Sequence, residues 1–332
     1  MIDLLLILGV FAAFVPSSAL LARGAGAYLL APVLSIVAAL VATFVHILSD
    51  FAIVWGWLAL ASLQLIFFVF PTARKELIAN LKISKGDYWG ISALSVSFIA
   101  SFGAVVSTPA PLAWDARSIW FHHALWLNGP ALYFREAQFL PVGNWPDYPF
   151  TGPGLMTLLW QLTGGYADLW LASSVVGVSV VLIATLTAFL LASKFAPKAH
   201  WGFKALALAV FVTAVTFLAD GYYNAGYQDT FQAVAVGLVF AAVLNLDTQN
   251  SWKSLLVPAV AFVLAANIKQ EGFWFAFGVL CLGLVIQAVQ KNWKSLLLIP
   301  VALAIRTGWS LFQDHIGTVS YTHLTLPTTP YV

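Results

Sequence analysis

The chain has 332 residues, of which 61% are hydrophobic and only 8% are charged, and its formal net charge is +2. Soluble domains carry about 25% charged residues, so this composition excludes a water-soluble fold, whose surface needs more charge. The small net charge gives no sign of nucleic-acid binding, and the single cysteine, Cys281, excludes an intrachain disulfide. The composition therefore predicts an all-α polytopic membrane protein.

Ten apolar runs predict transmembrane helices, each of which needs about 20 apolar residues. The runs cover residues 3–22, 27–47, 51–70, 88–107, 169–193, 205–219, 229–246, 254–268, 272–290 and 295–311. Several runs are shorter than a full crossing and are also compatible with hairpin partners. The first run has no basic segment before it, which favours a retained span over a signal peptide.

The basic residues between these runs predict which loops share a side of the membrane. If the loop 71–87 is cytoplasmic, most Lys and Arg residues fall on that side and most acids fall on the other. The cytoplasmic set is Arg23, Arg74, Lys75, Lys82, Lys85, Lys194, Lys198, Lys204, Lys253, Lys291 and Lys294. The external acids are Asp115, Glu136, Asp147, Asp168, Asp220, Asp229, Glu271 and Asp314. The assignment predicts an external N-terminus and an external loop 108–150.

A short repeat supports the same assignment. The segment "SWKSLLVPAV" at 251–260 resembles "NWKSLLLIPV" at 292–301. Trp and Lys at the start of a span anchor it at the membrane interface. Two spans that begin with the same anchor are expected to begin on the same side.

The external loop 108–150 is rich in aromatic residues, which predicts short helices that lie along the membrane surface. The turn Asn128-Gly129-Pro130 is expected to end the first of them. His122 and His123 are predicted to be interfacial residues rather than zinc ligands, because adjacent helical residues point in different directions. Asp115 also has a structural interpretation, because the helix macrodipole favours a carboxylate in the first turn of a helix.

Four motifs occur in order along the chain: "WDARSIWFHHALWL" from residue 114, "PDYPFTGPGLMTLLWQLTG" from 146, "AGYQDTFQAVAVGLVF" from 225 and "NIKQEGFWFAFGVL" from 267. Their order resembles the polyprenyl-phosphate-sugar-dependent membrane glycosyltransferases of the GT-C group, which include protein O-mannosyltransferases and the aminoarabinose transferase of lipid A. Trp114-Asp115 stands where many members have Asp-Glu, and four predicted spans precede the external loop where the best-known members have one. These departures point to a divergent branch.

The resemblance implies a GT-C-like fold and an enzyme that transfers a hexosyl or pentosyl group from a polyprenyl-phosphate donor to a hydroxyl acceptor. The reaction would take place on the outer face of a bacterial cytoplasmic membrane, with a glycan, lipid or protein as acceptor. A base must take the acceptor proton, and Asp115 is the predicted base. Cations must offset the charge of the leaving phosphate, and Arg117, Arg135 and Lys269 are the predicted phosphate partners.

Other residues match the family motifs, and for some of them a purely structural role explains the residue equally well. Asp147 and Tyr148, at the Tyr-Pro turn, are predicted to orient donor or acceptor. Asp229 matches a Gly-Tyr-x-Asp element and is equally compatible with a helix cap. Lys269 and Glu271 match a Lys-x-Glu-Gly element and are equally compatible with a solvated hairpin tip. No cofactor is predicted, and the need for a divalent metal stays open; the expected partners are donor, acceptor and membrane lipids, without nucleic acid.

A transporter or flippase of lipid-linked sugars is the main alternative function. Such proteins place ionisable residues at mid-membrane or on broken helices, whereas here most ionisable residues lie at span ends, with His46, Asp50 and Arg306 as exceptions.

The last residues of the chain have a different character. The segment "VSYTHLTLPTT" resembles the translation of a transposase sequencing adapter. This resemblance predicts that residues 318–332 are non-native and unpacked, so that the transmembrane domain covers residues 1–317.

Overall fold

The computed structural model describes residues 2–107, 119–137, 148–218, 228–246 and 252–316. All regular secondary structure within these ranges is helical, as the composition predicts. The helices are α1 (Ile2–Ala12), α2 (Val15–Ala19), α3 (Ala25–Ser49), α4 (Ile53–Leu63), α5 (Ile66–Val69), α6 (Pro71–Leu81), α7 (Tyr88–Ser107), α8 (Phe121–Leu127), α9 (Ala131–Ala137), α10 (Thr151–Leu162), α11 (Leu169–Phe195), α12 (Trp201–Leu218), α13 (Asp229–Leu244), α14 (Leu256–Ala266), α15 (Gly272–Val289) and α16 (Leu298–His315).

Each predicted apolar run coincides with one helix or with two consecutive helices. Five helical segments in the described ranges are long and apolar enough to cross a membrane: α3, α7, α11, α15, and α16 together with the 3-10 turn Trp293–Leu297 before it. The segment Ile53–Val69 joined to α6 is a sixth if the pair, bent by 105°, counts as one span. The class of α-helical membrane protein is therefore confirmed, whereas ten crossings and the GT-C arrangement stay predictions.

The runs 3–22 and 51–70 each form two helices instead of one. A single side chain forms hydrogen bonds at both helix breaks. Pro16 lies in the first turn of α2 and favours a new helix start there. The amide of Gln64, at the break between α4 and α5, accepts from Ser17 N and donates to Ala13 O, both at 3.0 Å. Gln64 is buried, so its amide satisfies backbone groups that the breaks would otherwise leave unpaired.

The repeated "WKSLL" segments adopt the same local structure. Residues Trp252–Leu255 and Trp293–Leu297 each form a 3-10 turn that leads into an apolar helix, α14 or α16. The exposed ring of Trp293 agrees with an anchor at the start of a span.

The contacts between helix ends agree with the predicted grouping of the loops. At the end that carries most Lys and Arg, Gly24 N donates to Asn80 O, Trp89 Nε1 donates to Ser193 Oγ, and Lys253 pairs with Glu76 at 3.3 Å. We call this the basic end. The 25-residue helix α3 begins there and spans about 37 Å, so its last residues lie at the other end, which we call the acidic end. Which end faces the cytoplasm stays a prediction.

The short helices expected between 108 and 150 are present as α8 and α9, and Asn128 ends α8 as predicted. They pack on the bundle: Thr157 Oγ1 of α10 donates to Ala124 O of α8 at 2.9 Å. The interfacial prediction for His123 is wrong, because its ring is buried between Trp126 and Phe134. His122 is exposed, as an interfacial residue would be.

Candidate functional site

The candidate site is built around the start of α10 at the acidic end. Every residue of α10 from Thr151 to Trp160 is buried, so this short helix is part of the core. The hydroxyl and the amide of Thr151 both donate to Asn267 O, at the end of α14. Gly152 lies against the side chain of Gln228, which precedes α13, so closely that a Cβ would clash. The first turn of α10 thus holds three motif-bearing segments together.

Lys269 and Asp229 form an ion pair across this junction. The distance from Lys269 Nζ to Asp229 Oδ1 is 2.7 Å; the lysine side chain is only 16% exposed and the carboxylate side chain 58%. Asp229 is the first residue of α13, and Gln228 occupies the N-cap, so the alternative of a helix cap is wrong for Asp229. The carboxylate still lies in the first turn, where the macrodipole favours it.

The connection between α14 and α15 is a partly buried turn. Gly272 N donates to Lys269 O, and Glu271 is the partly buried N-cap residue of α15. Because Lys269 is largely buried and paired, the alternative of a solvated hairpin tip does not describe it. The two motif residues Lys269 and Glu271 therefore belong to the packed junction.

Arg135 lies in a different part of the acidic end. Its Nη1 donates to Ile47 O at 3.3 Å, and its Nη2 contacts Asp50 Oδ2 at 3.4 Å. Asp50, in the left-handed conformation that ends α3, also accepts from Ala131 N at 2.7 Å. These contacts tie α9 to the carboxyl end of α3, where a cation is favourable. Asp50, one of the three exceptions above, is therefore a residue of a helix end.

Aromatic rings fill the space between the two ion pairs. Phe150 is at the centre, with ring centroids 5.2 to 5.6 Å from those of Phe44, Phe134, Trp309 and Phe312. Tyr148 is 9% exposed and packs edge-on against Trp120 at 5.4 Å. Tyr148 is the first residue of its described range and Trp120 is the second residue of its own, so their contact joins the beginnings of these two described ranges.

Arg306 is the residue that sequence reasoning left out of the site. Its guanidinium carbon is 5.8 Å from the ring centres of both Phe273 and Trp274, at the start of α15. It forms no ion pair with any residue in the described ranges. The available signal was its position as the one charged residue within the run 295–311, because ionisable residues in spans are commonly functional.

A narrow cleft lies beside Arg306. Its lining includes Pro149, Asn267, Gln270, Arg306 and Trp309. The volume is about 10 Å³, which is about enough for one water molecule. In this conformation the cleft is therefore too small for a substrate larger than water.

The predicted residues Asp115, Arg117 and Asp147 lie outside the described residues, so their placement stays a prediction. Of the predicted set, the structure brings Asp229, Lys269, Glu271 and Tyr148 to the junction around α10, and it places Arg135 with Asp50. Among the residues it describes, no three His, Cys, Asp or Glu side chains form a group that could hold a metal ion.

Comparisons with family models, with curated proteins and with solved structures gave no match. The functional assignment therefore depends on the sequence motifs and on the geometry of the acidic end.

Proposed function

We propose that the chain is a membrane glycosyltransferase that moves a sugar from a polyprenyl-phosphate donor to a hydroxyl acceptor on the external face of the bacterial cytoplasmic membrane. The observation that supports this most is the junction of three separate motifs at one end of the bundle. Thr151 contacts Asn267, Gly152 contacts Gln228, and Lys269 pairs with Asp229 at 2.7 Å. Motifs that serve one reaction have to meet at one place.

The chemistry assigns a role to each kind of side chain. The acceptor oxygen forms a bond to the anomeric carbon while the bond from that carbon to the phosphate oxygen breaks. The electron pair of the broken bond leaves with the phosphate, and the acceptor proton passes to the carboxylate of Asp115. Cations near the phosphate stabilise the charge that develops on it.

The described cations at the acidic end differ in the charges that already lie beside them. Lys269 is already paired with Asp229, and Arg135 is paired with Asp50. Arg306 has no ion-pair partner among the described residues, and its guanidinium carbon lies 5.8 Å from the centres of two aromatic rings. An aromatic ring stabilises a neighbouring cation less than a phosphate anion does. Arg306 is therefore the described cation best suited to the donor phosphate, with Lys269 and Arg135 holding the frame around it.

The experiment measures donor turnover by the full-length chain in liposomes. Undecaprenyl-phosphate mannose, glucose and aminoarabinose are supplied singly with a labelled sugar, together with hydroxyl acceptors of the three expected classes: a glycan, a lipid and a serine-containing peptide. Transfer of label to an acceptor and release of undecaprenyl phosphate are both followed. We expect time-dependent release with at least one donor, and a loss of about 10- to 100-fold for Arg306→Gln, since a hydrogen bond to a charged group contributes about 1.5–3 kcal/mol. Arg74→Gln, an exposed arginine of α6, is the matched control. No release from any donor by the folded protein contradicts the proposal.

A transporter or flippase is the second candidate, because two helices are broken around Gln64 and broken helices are common in transporters. The same liposomes distinguish the two functions. A flippase makes donor in the inner leaflet accessible from outside with its sugar still attached. A glycosyltransferase separates the sugar from the phosphate. Gln64 pairs with the backbone groups of Ser17 and Ala13 at these breaks, so its amide is already engaged in holding the helices, which favours the transferase.

A further inference from the structure

A second candidate binding site lies at the basic end, away from the junction around α10. A half-open groove of about 210 Å³ runs between α7, α11 and α12. Its lining is Trp89, Ala188, Leu191, Ala192, Lys204, Ala207, Leu208 and Phe211. Lys204 is the one charged side chain in a lining that is otherwise apolar apart from the indole N–H of Trp89.

Lys204 is buried without a counter-charge among the described residues. It is 8% exposed, its Nζ donates to Pro197 O at 3.2 Å, and it lies 5.9 Å from the centre of the Trp89 ring. The acid at the start of α7, Asp87, accepts from Gly90 N instead of pairing with this lysine. A desolvated ammonium with only a carbonyl and an aromatic face beside it is incompletely compensated, and an anion would complete its surroundings.

Aromatic residues of the kind found at membrane interfaces surround the groove. Trp89 is fixed by stacking on Phe189 at 5.4 Å and by donating to Ser193 Oγ. Tyr88 and Trp201 lie 5.6 Å apart near the groove, and both are exposed, as aromatic residues at membrane interfaces are. From Lys204 the groove follows α12 to Phe211, which is about 10 Å along the helix.

Two further lysines lie near the groove. Lys194, at the end of α11, and Lys198, in the following connection, are both exposed. Each basic residue close to an anionic membrane surface contributes about 1 kcal/mol of attraction. The groove walls offer almost no partners for the polar backbone of a peptide, which disfavours a polypeptide occupant.

We propose that this groove binds one anionic phospholipid, with its phosphate at Lys204 and one acyl chain along Ala188, Ala192 and Ala207. The small alanine side chains leave room for the chain, and the ammonium selects the charged headgroup. The site is independent of glycosyl transfer, since it lies at the opposite end of the bundle.

The test uses the full chain, purified and delipidated in mild detergent, and native mass spectrometry with palmitoyl-oleoyl phosphatidylglycerol or phosphatidylcholine as the probe. We expect one phosphatidylglycerol to bind more tightly than phosphatidylcholine. Lys204→Gln should weaken phosphatidylglycerol binding about fivefold, the equivalent of about 1 kcal/mol, while Lys204→Arg retains it. Ala207→Phe, at an exposed position of the groove, should weaken both lipids. Lys294→Gln is the matched control, because Lys294 is an exposed lysine in the 3-10 turn that precedes α16.

Phosphatidylglycerol binding that is equal in the wild type, in Lys204→Gln and in Ala207→Phe overturns the proposal. Equal affinity of the wild type for the two lipids overturns it as well. If Lys204→Gln fails to fold, the comparison of Ala207→Phe with Lys294→Gln decides, because Ala207 lies outside the core. Loss of a dimer instead of a lipid in Ala207→Phe would assign the groove to a second copy of the chain and also contradict the proposal.

Discussion

The ion pair between Lys269 and Asp229 gives the sharpest stability prediction, because its two partners are buried to different extents. The lysine side chain is 16% exposed and the aspartate side chain is 58% exposed, at a distance of 2.7 Å. Asp229→Asn leaves a largely buried ammonium without its counter-charge. Lys269→Met leaves a carboxylate that water can solvate. Removal of the aspartate should therefore cost more free energy of unfolding than removal of the lysine.

The magnitudes follow from that asymmetry. An exposed ion pair contributes about 0.2–1 kcal/mol, and breaking a fully buried one costs about 3–5 kcal/mol. Since one partner is exposed, we expect about 1–3 kcal/mol for Asp229→Asn, and about 0–1 kcal/mol for Lys269→Met. The double variant should resemble Lys269→Met, because it contains no buried unpaired charge.

The assay is thermal or chemical unfolding of the full-length chain in one detergent, with the wild type and all three variants measured together. Asp314→Asn is the matched control, because this aspartate is exposed near the end of α16. A larger loss for Lys269→Met than for Asp229→Asn would refute the reasoning from burial. Additive losses in the double variant would show that the two side chains do not interact.

Three further outcomes are expected. Gln64→Leu should lower the free energy of unfolding by about 1–3 kcal/mol, because the partly buried amide of Ser17 loses its acceptor and Ala13 O loses its donor; unchanged stability would contradict the role of this side chain at the helix breaks. Gly152→Val should lower the midpoint of thermal unfolding, since a Cβ there meets the side chain that precedes α13, and an unchanged midpoint would contradict that packing. Reporter fusions at Lys82 and Gly129 should give opposite signals for cytoplasmic and external location, and identical signals would refute the orientation.

Much of the helical arrangement follows from hydropathy alone. The runs 88–107 and 169–193 correspond to the helices Tyr88–Ser107 and Leu169–Phe195, because about 20 apolar residues without a breaker favour one continuous helix in a membrane. The loop charges also predicted which helix ends lie together. These are local or cumulative properties, and a single sequence contains them.

Features that depend on two distant segments were not accessible in the same way. The break at Gln64 is stabilised by backbone groups near residue 15, so hydropathy of 51–70 gave no sign of it. The buried helix Thr151–Leu162 was missed as an apolar element because its 12 residues are too few for a span. Lys269 and Asp229 were both identified as candidates, yet their pairing depends on how α13 and the α14–α15 turn pack. Arg306 was noticed only as an exception, since its aromatic neighbours come from another helix.

The central claim is that Asp115 takes the acceptor proton, and one measurement tests it directly. Donor turnover is compared for the wild type, Asp115→Asn and the control Asp314→Asn in the liposome assay described above. Loss of a general base costs about 10²–10⁴ in rate, so Asp115→Asn should fall by that factor while its unfolding midpoint and its membrane insertion stay at the wild-type level. Asp314→Asn should turn over like the wild type. Wild-type turnover by folded Asp115→Asn would contradict the account.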